Sequence, residues 1–178
     1  MPNPISQRSL TLPNGLNVVL VSAPRLKRCA AALRVAAGSH DVSARWPGLA
    51  HFLEHLFFLG TERFTADEKL MAFVQRHGGQ VNASTRERTT DFFIELPRAV
   101  FPDGLERLCE MLAHPRMTIP DQLREREVLH AEFIAWSGCA AGFLSTVLSG
   151  RADDAEPRRA SVAGGTGGAG NAVWRVFR

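Results

Sequence analysis

The segment His51-Phe52-Leu53-Glu54-His55 constrains this chain more than any other. His51 and His55 are four residues apart and Glu54 lies three beyond His51, so a helix projects all three side chains to the same side. Two neutral imidazoles one turn apart can grip one zinc ion, and the carboxylate beside them can handle a water on that ion. Such a site needs a third ligand from elsewhere and an open fourth position. The helix is expected from about Gly48 to Leu59, stopping at Gly60, where glycine tolerates the backbone of a helix end. Leu49, Phe52, Leu53, Leu56 and Leu59 are expected to bury its other face as core.

A second helical stretch supplies candidate ligands. Pro120 opens it at a position that costs no backbone hydrogen bond. Glu125 and Glu132 are seven apart and share a face two turns from each other. Glu132 can complete a His/His/Glu set, and Glu125 can then hydrogen-bond a ligating imidazole and fix its orientation. Glu127 falls on a different face and reads as solvated. The H-x-x-E-H order is the inverse of the commoner H-E-x-x-H metallopeptidase signature. His40, His77, His114 and His130 have no partner pattern, and ordinary surface or core roles are expected for them.

Several segments together resemble the pitrilysin/insulinase family of inverted-motif zinc metallopeptidases. Gly38-Ser39 followed by Gly48 to Thr61 is similar to the family's active-site helix and its approach. Gly78-Gly79-Gln80-Val81-Asn82-Ala83-Ser84-Thr85 is similar to its substrate-edge strand. Glu125 and Glu132 match the family's supporting and ligating glutamates, at the family's spacing from the histidines. The resemblance covers about residues 8 to 137. It implies one zinc ion per chain held by His51, His55 and Glu132, with Glu125 behind a ligand. Glu54 is then the catalytic base, and Asn82 and Ala83 contact a peptide substrate along the sheet edge. The implied activity is hydrolysis of peptide bonds. Active members enclose substrate between two related halves, and the second half supplies an arginine and a tyrosine. This chain has no tyrosine, so the resemblance implies a second homologous half or subunit as partner, or else an N-terminal fragment that binds zinc without efficient turnover.

The remaining pattern is that of an α+β domain, with a mainly antiparallel sheet and helices packed on one face, as the family fold also implies. Leu10 to Leu12 and Leu16 to Val21 flank Pro13-Asn14-Gly15, a hairpin signal. Cys29 to Ala37 reads as a strand, and Val81 to Thr85 with Thr89 to Leu96 as two adjacent strands. Thr65-Ala66-Asp67-Glu68 reads as a capping box opening a helix that ends at Gly78-Gly79. Arg98 to Ala113 carries Val100, Phe101, Leu105, Leu108 and Leu112 at helical spacing.

At 178 residues with 45% hydrophobic content, residues 1–150 suffice for one domain with a true core. The net charge of +3 is small and dispersed, which argues against nucleic acid as the main partner. Cys29, Cys109 and Cys139 form no disulfide framework or zinc motif and read as small buried residues. Neither a secretory signal nor an apolar run of membrane-spanning length is present, so a cytoplasmic protein with no membrane partner is expected. Residues 151–178 form an Ala/Gly/Arg-rich tail, expected to be disordered, and depart from the family pattern as a frameshifted or truncated reading frame would. Gly165 to Gly170 matches G-x-G-x-x-G, but no strand precedes it and only eight residues follow, so no dinucleotide site is expected.

Overall fold

The computed structural model describes residues 5–137 and 173–177. Strands β1 (Ser6–Thr11) and β2 (Asn17–Ser22) form the expected hairpin. Gly15 turns it with φ at 85°, and the Asn14 side chain accepts from the Leu16 amide at 3.1 Å. They are followed by β3 (Arg28–Val35), a 3-10 turn (Ser39–Asp41), α1 (Leu49–Phe57), α2 (Leu70–Arg76), β4 (Gln80–Thr85), β5 (Thr90–Pro97), α3 (Phe101–Ala113), α4 (Ile119–Ser137) and β6 (Val173–Phe177). The six strands make one sheet in the order β1-β2-β6-β3-β5-β4, antiparallel at every pairing except β2 with β6. The α+β class with a mainly antiparallel sheet is therefore as expected.

Strand alternation sorts the two faces. Cys29, Ala31 and Leu33 of β3 lie opposite Leu96, Ile94 and Phe92 of β5, and all six are buried. Leu70, Phe73 and Val74 of α2 and Phe101, Leu108 and Met111 of α3 complete that core, so the helices cover this face. The alternate residues carry charge on the other face. Arg34 donates to both oxygens of Asp91, at 2.6 and 2.9 Å, and Arg28 pairs with Glu95. Gly104 lets α3 lie close to β5, because a Cβ there would sit 2.1 Å from the Leu96 side chain.

The structure corrects four local expectations. The helix after Thr65 begins only at Leu70 and has no side-chain cap. The Asp67 and Glu68 carbonyls instead accept from Arg76 and Arg107, which holds residues 65–69 as a separate turn. Leu49 and Leu53 are not core; they are 46% and 37% exposed, because this segment of the chain meets the sheet through Glu54, Phe57 and Phe58. Cys29 is buried as expected, while Cys109 is exposed on α3; Cys139 lies outside the described residues. Residues 173–177, assigned by sequence to the disordered tail, form β6 between β2 and β3. The run Val-Trp-Arg-Val-Phe is dense in β-branched and aromatic residues, which suit a pleated surface. The rest of the tail, including Gly165 to Gly170, lies outside the described residues.

Residues 38–40 bind the turn between β4 and β5. The amides of Ser39 and His40 donate to the carbonyls of Arg86 and Glu87, both at 2.8 Å, and the Thr90 hydroxyl donates to the Ala37 carbonyl at 2.9 Å. A Cβ on Gly38 would stand 2.1 Å from the Arg86 carbonyl oxygen, so only glycine allows this approach. Gly38→Ala is expected to destabilise the fold by about 1–3 kcal/mol in urea unfolding, the usual range for overpacking.

The Arg34 hydrogen bond, with its charge, holds the Asp91 carboxyl below its ordinary 3.8. The folded-state value is the lower one, so the stabilisation is present above pH 3.8 and is lost as pH falls through the depressed value. The melting-temperature gap between wild type and Asp91→Asn is expected to be constant at neutral pH and to close on acidification below that point.

Candidate metal centre

Helix α1 has only nine residues and is preceded at the cap position by Gly48, with φ at 83° and no side chain to cap it. A helix this short is not stable alone, so tertiary contacts hold it. Leu56 is 4% exposed, and Phe57 and Phe58 pack their rings on Phe92 at 5.5 and 6.1 Å. Past its end, Gly60 takes a φ of 130° and its carbonyl accepts from the Arg116 amide at 2.9 Å, tying the helix exit to the approach of α4.

Helix α4 crosses α1 and brings the two sequence-distant glutamates to the histidines. His55 Nδ1 lies 2.9 Å from Glu125 Oε1, with the two side chains only 20% and 14% exposed. A carboxylate there accepts the Nδ1 proton, which leaves the lone pair of His55 on Nε2. His55 Nε2 stands 3.2 Å from His51 Nε2 and 3.4 Å from Glu132 Oε2; His51 Nε2 is 3.9 Å from the same oxygen. Ligand atoms bound to one zinc at about 2.0–2.1 Å and at tetrahedral angles sit roughly 3.3 Å apart. The three observed separations bracket that figure, so the donor set fits a metal ion in both chemistry and spacing.

Glu54 is held by the sheet edge. It is 8% exposed, and its Oε2 accepts from the Thr85 hydroxyl of β4 at 2.5 Å. Glu127 is exposed and paired with Arg126, as its helical position predicts. His77 bonds the Phe73 carbonyl and His114 its neighbour Glu110, both local roles. Helix α4 contributes the glutamates from a largely exposed surface, half-burying Asp121, Gln122, Glu125 and Leu129 among its described side chains.

Strand β4 forms one edge of the sheet. The Arg86 amide donates to the Thr89 carbonyl across the hairpin turn at 2.8 Å. Counting back by alternation, Ser84 and Asn82 bond β5, while Ala83 and Val81 turn their N–H and C=O groups to the open edge. The Ala83 amide is held there by Asn82 Oδ1 at 2.9 Å. Sequence reasoning singled out Asn82 and Ala83 but missed Thr85 as a partner of Glu54; a hydroxyl at a strand end carries no signal of its own.

Residues 17–150 match the profile of the insulinase family, peptidase family M16. The chain belongs to that family. It is 75% identical over 142 residues to coenzyme PQQ synthesis protein F of Pseudomonas syringae pv. tomato, covering 79% of this chain and 18% of that protein. It is also 34% identical over 125 residues to protease 3 of Escherichia coli, covering 70% of this chain and 13% of that protein. Among solved structures, pitrilysin superposes with a TM-score of 0.70 at 33% identity, over 76% of this chain and 14% of that one. A protease from Helicobacter pylori gives 0.72 at 31% identity, over 79% of this chain and 34% of that one. The chain thus spans about a fifth of the length of the curated relatives it matches. No helix among the described residues is long and apolar enough to cross a membrane.

The Glu125 contact predicts the tautomer of His55 in metal-free protein. Nitrogen-15 spectra are expected to show His55 protonated at Nδ1 in wild type and to shift towards the Nε2-protonated form in Glu125→Ala.

Proposed function

We propose that this chain carries the catalytic site of a zinc-dependent metalloendopeptidase that trims a small precursor peptide in pyrroloquinoline quinone biosynthesis. The observation that carries the reading is the convergence of His51, His55 and Glu132 at ligand spacing within a member of a peptidase family. The pathway rests on likeness to coenzyme PQQ synthesis protein F. One zinc ion would be held by His51 Nε2, His55 Nε2 and Glu132 Oε2, with Glu125 fixing the His55 ring. Zinc, when bound, supplies the Lewis acidity that makes water a competent nucleophile near neutral pH.

The protein groups do the rest. Glu54 accepts the proton of the attacking water and returns it to the leaving amine. Ala83 and Asn82 receive the peptide as an added strand at the open edge of β4. Asn82 Oδ1, which now holds the Ala83 amide, gives way to a substrate carbonyl. The compartment in this reading is the cytoplasm.

A second reading is favoured by the openness of the site. His51 and Glu132 expose 42% and 54% of their side chains, whereas hydrolysis benefits from a closed, water-excluding chamber. In that reading the chain binds zinc but needs a second homologous half or subunit for turnover.

Zinc content and peptide cleavage measured on the same samples separate the two. Wild type is expected to hold one zinc per chain. Glu132→Gln is expected to lose it, and Glu125→Gln to bind it about 10–100-fold more weakly. Glu54→Gln is expected to keep the metal while abolishing cleavage. Zinc without cleavage in wild type supports the half-site reading, and a well-folded wild type without zinc overturns both.

A further inference from the structure

Glu54 is the one buried carboxylate among the described residues. A polar group withdrawn from water needs a hydrogen-bond partner, or its burial is costly. Among the described residues a single hydrogen bond reaches it, from the Thr85 hydroxyl to Oε2 at 2.5 Å.

The donor is well fixed. Thr85 ends β4 opposite Thr90 of β5, and Thr90 is itself tied to the Ala37 carbonyl. Its β-branched side chain has few χ1 choices on a strand. Thr85 also lies on the same strand face as Ala83, two residues earlier.

We propose that Thr85 is a positioning residue for Glu54: its hydroxyl holds Oε2, so that Oε1 is the oxygen that takes and returns the proton. This rests on the peptidase reading above. It adds that one strand sets both reaction partners, since the edge that receives the peptide backbone also fixes the base. A hydroxyl that merely satisfied a buried polar group would affect stability without affecting where the carboxyl group points.

Thr85→Val removes the hydroxyl at nearly constant shape, and Thr85→Ser keeps it. The first measurement is crystallographic, on metal-free full-length chain, so it stands whether or not the zinc reading does. Glu54 is expected in one carboxylate position in wild type and Thr85→Ser, and displaced or divided between positions in Thr85→Val. The second is kinetic, on zinc-loaded protein with a peptide substrate. Thr85→Val is expected to lower kcat by about 10–100-fold, the scale of an ångström-level misplacement, with KM within about twofold and zinc affinity unchanged; Thr85→Ser should restore most of kcat. An unmoved Glu54 carboxylate in Thr85→Val overturns the proposal. So does an equal loss of kcat in the Val and Ser variants. Absence of zinc from wild type would instead defeat the metal reading while leaving the crystallographic comparison decisive for Thr85.

Discussion

The whole candidate site depends on one helix crossing, that of α4 over α1, and on the His55–Glu125 hydrogen bond at its centre. The two residues are 70 apart in sequence, yet their atoms lie 2.9 Å apart with little exposure on either side. Both helices need the contact. The shorter one is below the length that holds a helix in water, and the longer one half-buries only Asp121, Gln122, Glu125 and Leu129 among its described side chains. Three of those four are polar, so polar groups at the crossing share in setting its register. The same register delivers Glu132 two turns later to the open side of both imidazoles.

Behind this crossing stands the sheet. Its helix-covered face presents Phe92 to Phe57 and Phe58, which anchors the C-terminal end of α1. Its edge strand supplies Thr85 to Glu54 and leaves Ala83 outward. The residues proposed for metal ligation and for proton handling are thus supported by different elements, α4 for the histidines and β4 for the glutamate. A helix with imidazoles on one side and a carboxylate turned into the fold needs both supports.

Much of this was legible beforehand, and the reasons are local. The hairpin at Pro13-Asn14-Gly15, the alternation of β3 and β5 and the helical spacing of Phe101, Leu105, Leu108 and Leu112 all express periods that a short stretch of chain carries within itself. The failures have an equally plain cause. Thr65 to Glu68 has the composition of a capping box, but Arg76 and Arg107 take the carbonyls, and no local pattern reveals donors that distant. Leu49 and Leu53 sit where a fully buried helix would hide them, yet the sheet lies on another side of α1. The strand at 173–177 was hidden by its glycine-rich approach, although its own five residues have strand composition.

By itself the sequence determined the chemistry on offer: two imidazoles and a carboxylate one helical turn apart, and two glutamates seven apart on another helix. That followed from the 3.6-residue period, which holds wherever a helix forms. Only the tertiary structure decided which glutamate meets which imidazole nitrogen, that Glu54 turns inward to Thr85, and that β4 is an edge. Those outcomes depend on how elements far apart in the chain cross and in what order the strands assemble, and long-range packing, not local periodicity, settles both.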